Sequence, residues 1–444
     1  MPIDRRSLLA GSLTALFASP AFAQQRPGVD AAQFNVRPGA SDDQSRVLQR
    51  ALDQAARTRT PLFLPPGVYR AGDLKLAAGA QITGVRGATR IVLTRGPSLF
   101  TAEGGGDLTL NGLTLDGGNI PLPQNRGLVH FTGAKGVRIA DCTIVNASGN
   151  AVALEQCDGD ISRNTIANAA DNGLYCVDNK GLVIGGNTIR NCGNGGIRVW
   201  QSVKRHDGSI VADNTIEDIG ARAGGTGQNG NGVNVFRAGN VIVRNNVIRR
   251  MAFTAVRGNT ADNIQILGNN CAVSKETAMY AEFGYEGAVI ADNVIDTAEN
   301  GIHVTNFNDG GRLATVHGNL LRNVGVRRPD NPPEGAGIGI GAEAETAVTG
   351  NVIENAPYAG IRLGFGPYLR NVAASGNVIR DAGIGIAVSV VRGAGGAAIS
   401  GNVIQGARRG AIVGMEWHKA VTGDLLKSGA ESYPLLKLTG NQVL

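Results

Sequence analysis

The 444-residue sequence predicts an all-β chain wound as a right-handed, single-stranded parallel β-helix, with a helix capping its N-terminal end. Glycine supplies 65 residues, about 15% against a usual ~7%, and it is spread evenly, not gathered in a linker or spaced as a collagen triplet. A short phrase built around Asn-x-Ile or Asn-x-Val recurs with a basal period near 23 residues. Aromatic residues make up only 5%, so the core has to be assembled from thin aliphatic layers. Length alone would allow two or three ordinary domains; a repeat with glycine turns reads instead as one solenoid. A mean hydropathy of −0.04 and a balanced charge count exclude wholesale disorder and a multi-pass membrane protein.

Residues 1–23 read as an export signal. Arg5 and Arg6 precede a short apolar run to Ala18, and Ala21-Phe-Ala23 supplies a small-residue site with cleavage expected after Ala23. The arginine pair followed by Leu8 and Leu9 resembles a twin-arginine signal, with an ordinary Sec signal as the alternative. The expected partner is then the twin-arginine export machinery, the expected location periplasmic or secreted, with no stable membrane anchor after cleavage. In that setting the pI of 9.2 points to a polyanion such as an acidic polysaccharide and not to nucleic acid. The five cysteines (142, 157, 176, 192 and 271) form no CxxC pair; a disulfide is permitted there but not implied.

Residues 24–80 form the cap and first rung. Val47, Leu48, Ala51, Leu52 and Ala55 share one face of an amphipathic helix, with Asp42 and Asp43 expected in its first turn. A strand and turn follow at Leu62–Tyr69 (Leu-Phe-Leu-Pro-Pro-Gly-Val-Tyr). Residues 81–444 carry the repeats. The first phrase reads Ile161-x-x-Asn164-x-Ile166, Ile184-x-x-Asn187-x-Ile189, Val211-x-x-Asn214-x-Ile216 and Val243-x-x-Asn246-x-Ile248. It continues through Asn269, Asn293, Asn319, Asn351, Asn377, Asn402 and Asn441, with Cys142 in the Asn slot of the first copy. A second phrase, Gly-apolar-x-apolar, begins at Gly173, Gly196, Gly232, Gly301, Gly337, Gly360 and Gly385. Both phrases alternate with the period of a strand and are too short for a helix. The asparagines are read as structural: they tolerate left-handed turns, and stacked side-chain amides can hydrogen-bond along the axis.

The helix and Leu-Pro-Pro-Gly-x-Tyr stretch, followed by these repeats, resemble pectin-lyase-like β-helix proteins. Signal and Asn phrases together resemble a family of twin-arginine-translocated repeat proteins of that type. The resemblance implies the fold over nearly the whole chain after residue 23. The wider superfamily includes polysaccharide lyases, glycosidases, uronan epimerases and non-catalytic members, so it implies no single activity.

Strand alternation puts the middle residue of the second phrase outside, giving the column Ala153, Tyr175, Arg198, Asn234, Arg257, Tyr280, His303, Gly339, Arg362, Ala387 and Ile412. Two residues on lie Glu155, Val177, Trp200, Phe236, Asn259, Glu282 and Thr305. Insertions at 219–231 and 324–336 before this strand, and at 201–209, 306–311, 366–371 and 415–434 after it, are expected to wall a groove. Arg257, Tyr280, Glu282 and His303 are the candidate catalytic set for proton abstraction from a uronate, which needs a base, a cation at the carboxylate and a proton donor. Tyr175, Arg198, Trp200, Asn234, Phe236, His206, Asp207, Asp309 and Arg312 are the candidate substrate-binding residues. The function expected is binding of an acidic polysaccharide, with modification by lyase or epimerase chemistry ahead of hydrolysis; the alternative is a non-catalytic envelope scaffold. The run 280–286 is the densest functional pattern, with a bulged turn as its structural alternative. No cofactor is expected: the five histidines lack ligand spacing, and calcium at Glu282 and Asp309 has no supporting motif.

Overall fold

A computed structural model describes residues 28–225, 227–325 and 335–444. Residues 1–23, expected to form an export signal, lie outside the described residues. The chain coils through parallel β-strands that return to the same three faces at every turn. One face is a separate sheet of 16 strands carrying Ile139, Ile161, Ile184, Val211 and Val243 in register. The second face carries Ile144, Ile166, Ile189, Ile216 and Ile248, and the third carries the second phrase. These two faces run together around a bend in the long strands Asn270–Glu282, Val294–Val304, Val352–Leu363 and Val378–Ser389. Inward Ile, Val and Leu side chains stack as one continuous core from end to end.

Helix α1 (Ser45–Arg57) buries Leu48, Ala51, Leu52 and Ala55 against the first rungs. Its first turn is not acidic as expected: Asp42 and Asp43 precede it, and Asp43 Oδ1 accepts the Ser45 N–H at 2.9 Å. The carboxylate thus satisfies an orphan donor at the helix start from outside.

The asparagine column is buried, with Asn164, Asn187, Asn214, Asn246 and Asn269 each about 1% exposed. Each amide oxygen accepts both the backbone N–H and the Nδ2–H of the Asn one rung earlier. Asn246 N and Nδ2, for example, reach Asn269 Oδ1 at 3.0 and 2.9 Å. The second Nδ2 hydrogen goes to a strand carbonyl of the preceding rung, as from Asn269 to Val243 O at 3.0 Å. The left-handed residue is not the Asn itself but the one before it: Arg163, Gly186, Asp213, Asn245, Gly268 and Asp292 have φ near +60°. The side-chain ladder, not the turn, is what demands Asn.

Glycine at the start of the second phrase also has a cause. A Cβ on Gly196 would sit 2.4 Å from Gly232 O and 2.8 Å from Ile216 Cγ2, so the corner leaves no room for one. The same crowding at Gly301 and Gly339 fixes the register of the next rung. His303 therefore lies beside Gly341, not Gly339, and Ala387 beside Val413, not Ile412. The insertion before Gly339 displaced the count by two residues.

Candidate functional site

The third face holds the outward column Tyr175, Arg198, Asn234, Arg257, Tyr280 and His303 on consecutive rungs, as expected. The expected open groove is different in character: Arg198, Asn234, Arg257, Glu282 and His303 are each 7% exposed or less. Residues 201–206 do not loop away but extend the strand Gly195–His206, which bulges between Trp200 and Arg205.

At the centre, Arg257 is committed to carboxylates. Its Nε meets Glu282 Oε1 at 2.6 Å and its Nη2 meets Glu282 Oε2 at 3.0 Å, a bidentate pair. Its Nη1 meets Glu276 Oε2 at 3.2 Å, and Asn259 Nδ2 donates to Glu282 Oε1 at 3.0 Å. Burial opposes the guanidinium charge, but the two glutamates outweigh it and raise its pKa. Glu276 was absent from the sequence reading because it precedes the corner, on a strand that lacks the usual glycine. The Arg257 guanidinium lies 4.9 Å from the Tyr280 ring centroid, and Tyr280 meets His303 edge-on at 5.7 Å.

Tyr280 is held protonated by burial and by the neighbouring glutamates, which push its pKa well up. Burial, with the Arg362 charge adding to it, pulls His303 down to about 3, so its ring is neutral at ordinary pH. His303 Nε2 is buried and has no hydrogen-bond partner. Arg257, Tyr280, Glu282 and His303 are thus brought together, with the cation already matched.

The second group gathers on the earlier rungs. Tyr175, Trp200 and Phe236 form an aromatic ladder with centroid spacings of 6.3 and 5.6 Å. Arg198 lies 4.8 Å from the Trp200 ring, and its Nη2 donates to Asn229 Oδ1 at 2.6 Å, an Asn supplied by the 219–231 insertion. Its Nε is buried without a partner, and burial lowers its pKa against the pull of Asp171 and Tyr175. Buried Asn172 Oδ1 and Asn231 Oδ1, on the rungs either side of Gly195, also lack donors. Asn234 is tied to Trp200 Nε1 at 3.3 Å and to Gly227 O at 2.8 Å.

The remaining candidates stand apart from these groups. Asp207 is buried as a turn brace, accepting from Gln201 Nε2 at 2.6 Å and Ser209 N at 2.9 Å. His206 is exposed against Asn240, and Arg312 is paired with Glu286. Asp309 is exposed in the short 3-10 turn Phe307–Asp309. The run 280–286 is a strand end plus a left-handed turn at Phe283, with Tyr285 buried. All five cysteines are buried and unpaired. Among the described residues, no group of three or more His, Cys, Asp or Glu is placed to hold a metal ion. None of their helices is long and apolar enough to cross a membrane.

Three wound faces and a buried asparagine ladder define a parallel β-helix protein. The profile described as the right handed beta helix region matches residues 100–216 and 202–368, and the chain belongs to this family. No curated protein matches it by sequence. The solved N-terminal fragment of bacteriophage phi29 gene product 12 is 15% identical with a TM-score of 0.54, covering 88% of this chain and 69% of that one. The pre-mature form of the same product is 12% identical with a TM-score of 0.54, covering 94% and 72%. An A-module of an Azotobacter vinelandii mannuronan C-5 epimerase is 16% identical with a TM-score of 0.45, covering 94% and 99%. At 15% and 12% identity the likeness to the phage gene product is one of fold.

Proposed function

We propose that this protein is an exported β-helix that holds an acidic polysaccharide along its third face, with Arg198 taking a sugar carboxylate. Arg198 carries the reading. The residue is only 7% exposed, its Nε has no partner, and no carboxylate of the described residues lies within ion-pair distance. An unmatched buried cation costs several kcal/mol, which a bound carboxylate would offset through two parallel N–H bonds. The half-buried rings of Tyr175, Trp200 and Phe236 offer apolar faces to sugar rings beside it. A net positive formal charge, +6 over the full sequence, attracts a polyanion.

The test is to titrate the protein lacking residues 1–23 with uronate polymers and with neutral glycans of equal length. Uronates should bind more tightly, and Arg198→Ala should weaken them by about 10–100-fold, the loss of a charged hydrogen-bonded contact. Equal binding of neutral glycans, or an unchanged Arg198→Ala, would overturn the assignment.

Elimination or epimerisation is a second reading, favoured by the orphaned Nε2 of neutral His303 beside protonated Tyr280. In an elimination, the C5 proton passes to His303 Nε2, the C4–O bond breaks as C4=C5 forms, and the Tyr280 hydroxyl protonates the leaving oxygen. Uronate polymers should then yield unsaturated ends that absorb in the ultraviolet, and His303→Gln should slow the reaction about 10²–10⁴-fold. Hydrolytic ends without unsaturation reject the elimination while leaving the binding reading intact. The export reading rests on Arg5 and Arg6. Replacing both with Lys should retain the precursor in the cytoplasm, whereas a Sec signal would still export it.

A further inference from the structure

Seven rungs span Arg198 to Arg362 on the third face, through Asn234, Arg257, Tyr280, His303 and Gly341. The two ends are alike and the middle is not. Like Arg198, Arg362 has no carboxylate of the described residues within ion-pair distance; Glu343 is its leading electrostatic neighbour. Its guanidinium stands 5.1 Å from the Phe365 ring centroid, as Arg198 stands 4.8 Å from that of Trp200. Phe365 in turn meets Trp417 edge-on at 4.9 Å.

Trp417 is delivered by a local departure from the solenoid. Strands Ile412–Glu416 and Lys419–Asp424 pair antiparallel, and their tip carries Trp417 at φ 54° and His418 back over earlier rungs. The Trp417 ring fills the space above Gly366, where a Cβ would lie 2.4 Å from Cη2. Trp417 is still 45% exposed, an unusual use of a large ring in a chain with two tryptophans. Both tryptophans therefore accompany an arginine without a carboxylate, whereas the central Arg257 is closed by Glu282 and Glu276.

We infer that Arg362, Phe365 and Trp417 form a second anchoring subsite for the same anionic polymer, in line with the Arg198–Trp200 subsite along the solenoid axis. This rests on the binding reading proposed for Arg198. Six rung steps at about 4.8 Å separate the two guanidiniums by about 29 Å. A polymer that advances by about one rung spacing per sugar makes six steps between them, so only an oligomer of about seven or more sugars reaches both. Joining two weak sites through one ligand raises affinity by about 10²–10⁴-fold once the ligand spans them.

The experiment titrates the protein lacking residues 1–23 with oligogalacturonates of two to ten residues. Affinity should be flat for short oligomers and rise at least tenfold at about seven residues. Arg362→Gln should remove the rise and reduce the number of dimers or trimers bound, leaving the site at Arg198 occupied. Trp417→Ala, at an exposed hairpin tip, should reduce the rise with the melting curve preserved, which separates loss of the subsite from loss of fold. A smooth length dependence in the wild-type protein, or a rise that survives both substitutions, overturns the second subsite while the Arg198 reading stands. Failure of oligogalacturonates of every length to bind overturns both.

Discussion

Arg257 shows how a single side chain can read as catalytic in sequence and act as a clamp in space. Its alternation with aromatic neighbours was legible, but its partners were not. Glu282 sits in the next rung two residues off the column, and Glu276 lies before a corner that the repeat phrase does not mark. Removing Arg257 takes the bidentate counter-charge from buried Glu282, so Arg257→Ala should destabilise the protein by about 3–5 kcal/mol in a denaturant titration. A surface arginine would cost under about 1 kcal/mol. His303 gives a pH signature. Its folded pKa, about 3, lies below the ordinary 6.5, so the unfolded chain binds the extra proton between those values. Its contribution to stability is complete above pH 6.5 and falls away as pH drops toward 3. His130, lowered to about 4 by burial and Arg126, acts in the same direction. His303→Gln should flatten the stability profile across that window, and an unchanged slope would count against a neutral buried imidazole.

Among the elements, the strands and the asparagine ladder were the most readable, because one residue in 23 or more has to be Asn at a buried slot. The ladder intervals of 22, 23, 27 and 32 residues in the hydrogen-bond pattern match the phrase intervals in the sequence. The corners were less readable. Gly337 looked like a phrase start, yet Gly339 is the residue whose absent side chain admits the neighbouring carbonyl, at 2.4 Å from a would-be Cβ. That constraint lives in three-dimensional crowding and leaves no trace in a local pattern of two equivalent glycines. The antiparallel hairpin around Trp417 was likewise seen only as an insertion after the strand. Gly196→Ala should cost more than the roughly 1 kcal/mol of an ordinary glycine substitution, since backbone has to move to admit the methyl group. Thermal unfolding of that variant checks the point.

At the scale of the whole molecule, the core of stacked aliphatic layers explains both the abundance of glycine and the scarcity of aromatics. The few rings left over are concentrated outside the coil, on the face where polymer binding is proposed. The sequence located that face through its decorated column, but exposure was misjudged. Insertions were expected to stand beside the column as walls; instead the 219–231 insertion reaches over it and bonds Arg198 through Asn229. Loop length is legible in a sequence, while the direction a loop takes depends on partners many rungs away.

The asparagine ladder also has a polarity. Every amide takes hydrogen bonds from the rung before it and gives one to the rung after it, so damage has a direction. In Asn269→Ala, the Asn246 backbone N–H and Nδ2 lose their acceptor, whereas Asn293 Oδ1 keeps the backbone N–H of residue 269. The cost, about 1–3 kcal/mol for each stranded donor, falls on the N-terminal side of the lesion. Hydrogen exchange should quicken at Asn246 and stay slow at Asn293, and symmetric protection loss would contradict the one-way chain. In that sense the solenoid is a queue in which each rung depends on the one that follows it. Cys142, at the head of the column, needs only to give its backbone N–H to Asn164 and never has to accept. A thiol can therefore stand where eleven later rungs carry an amide.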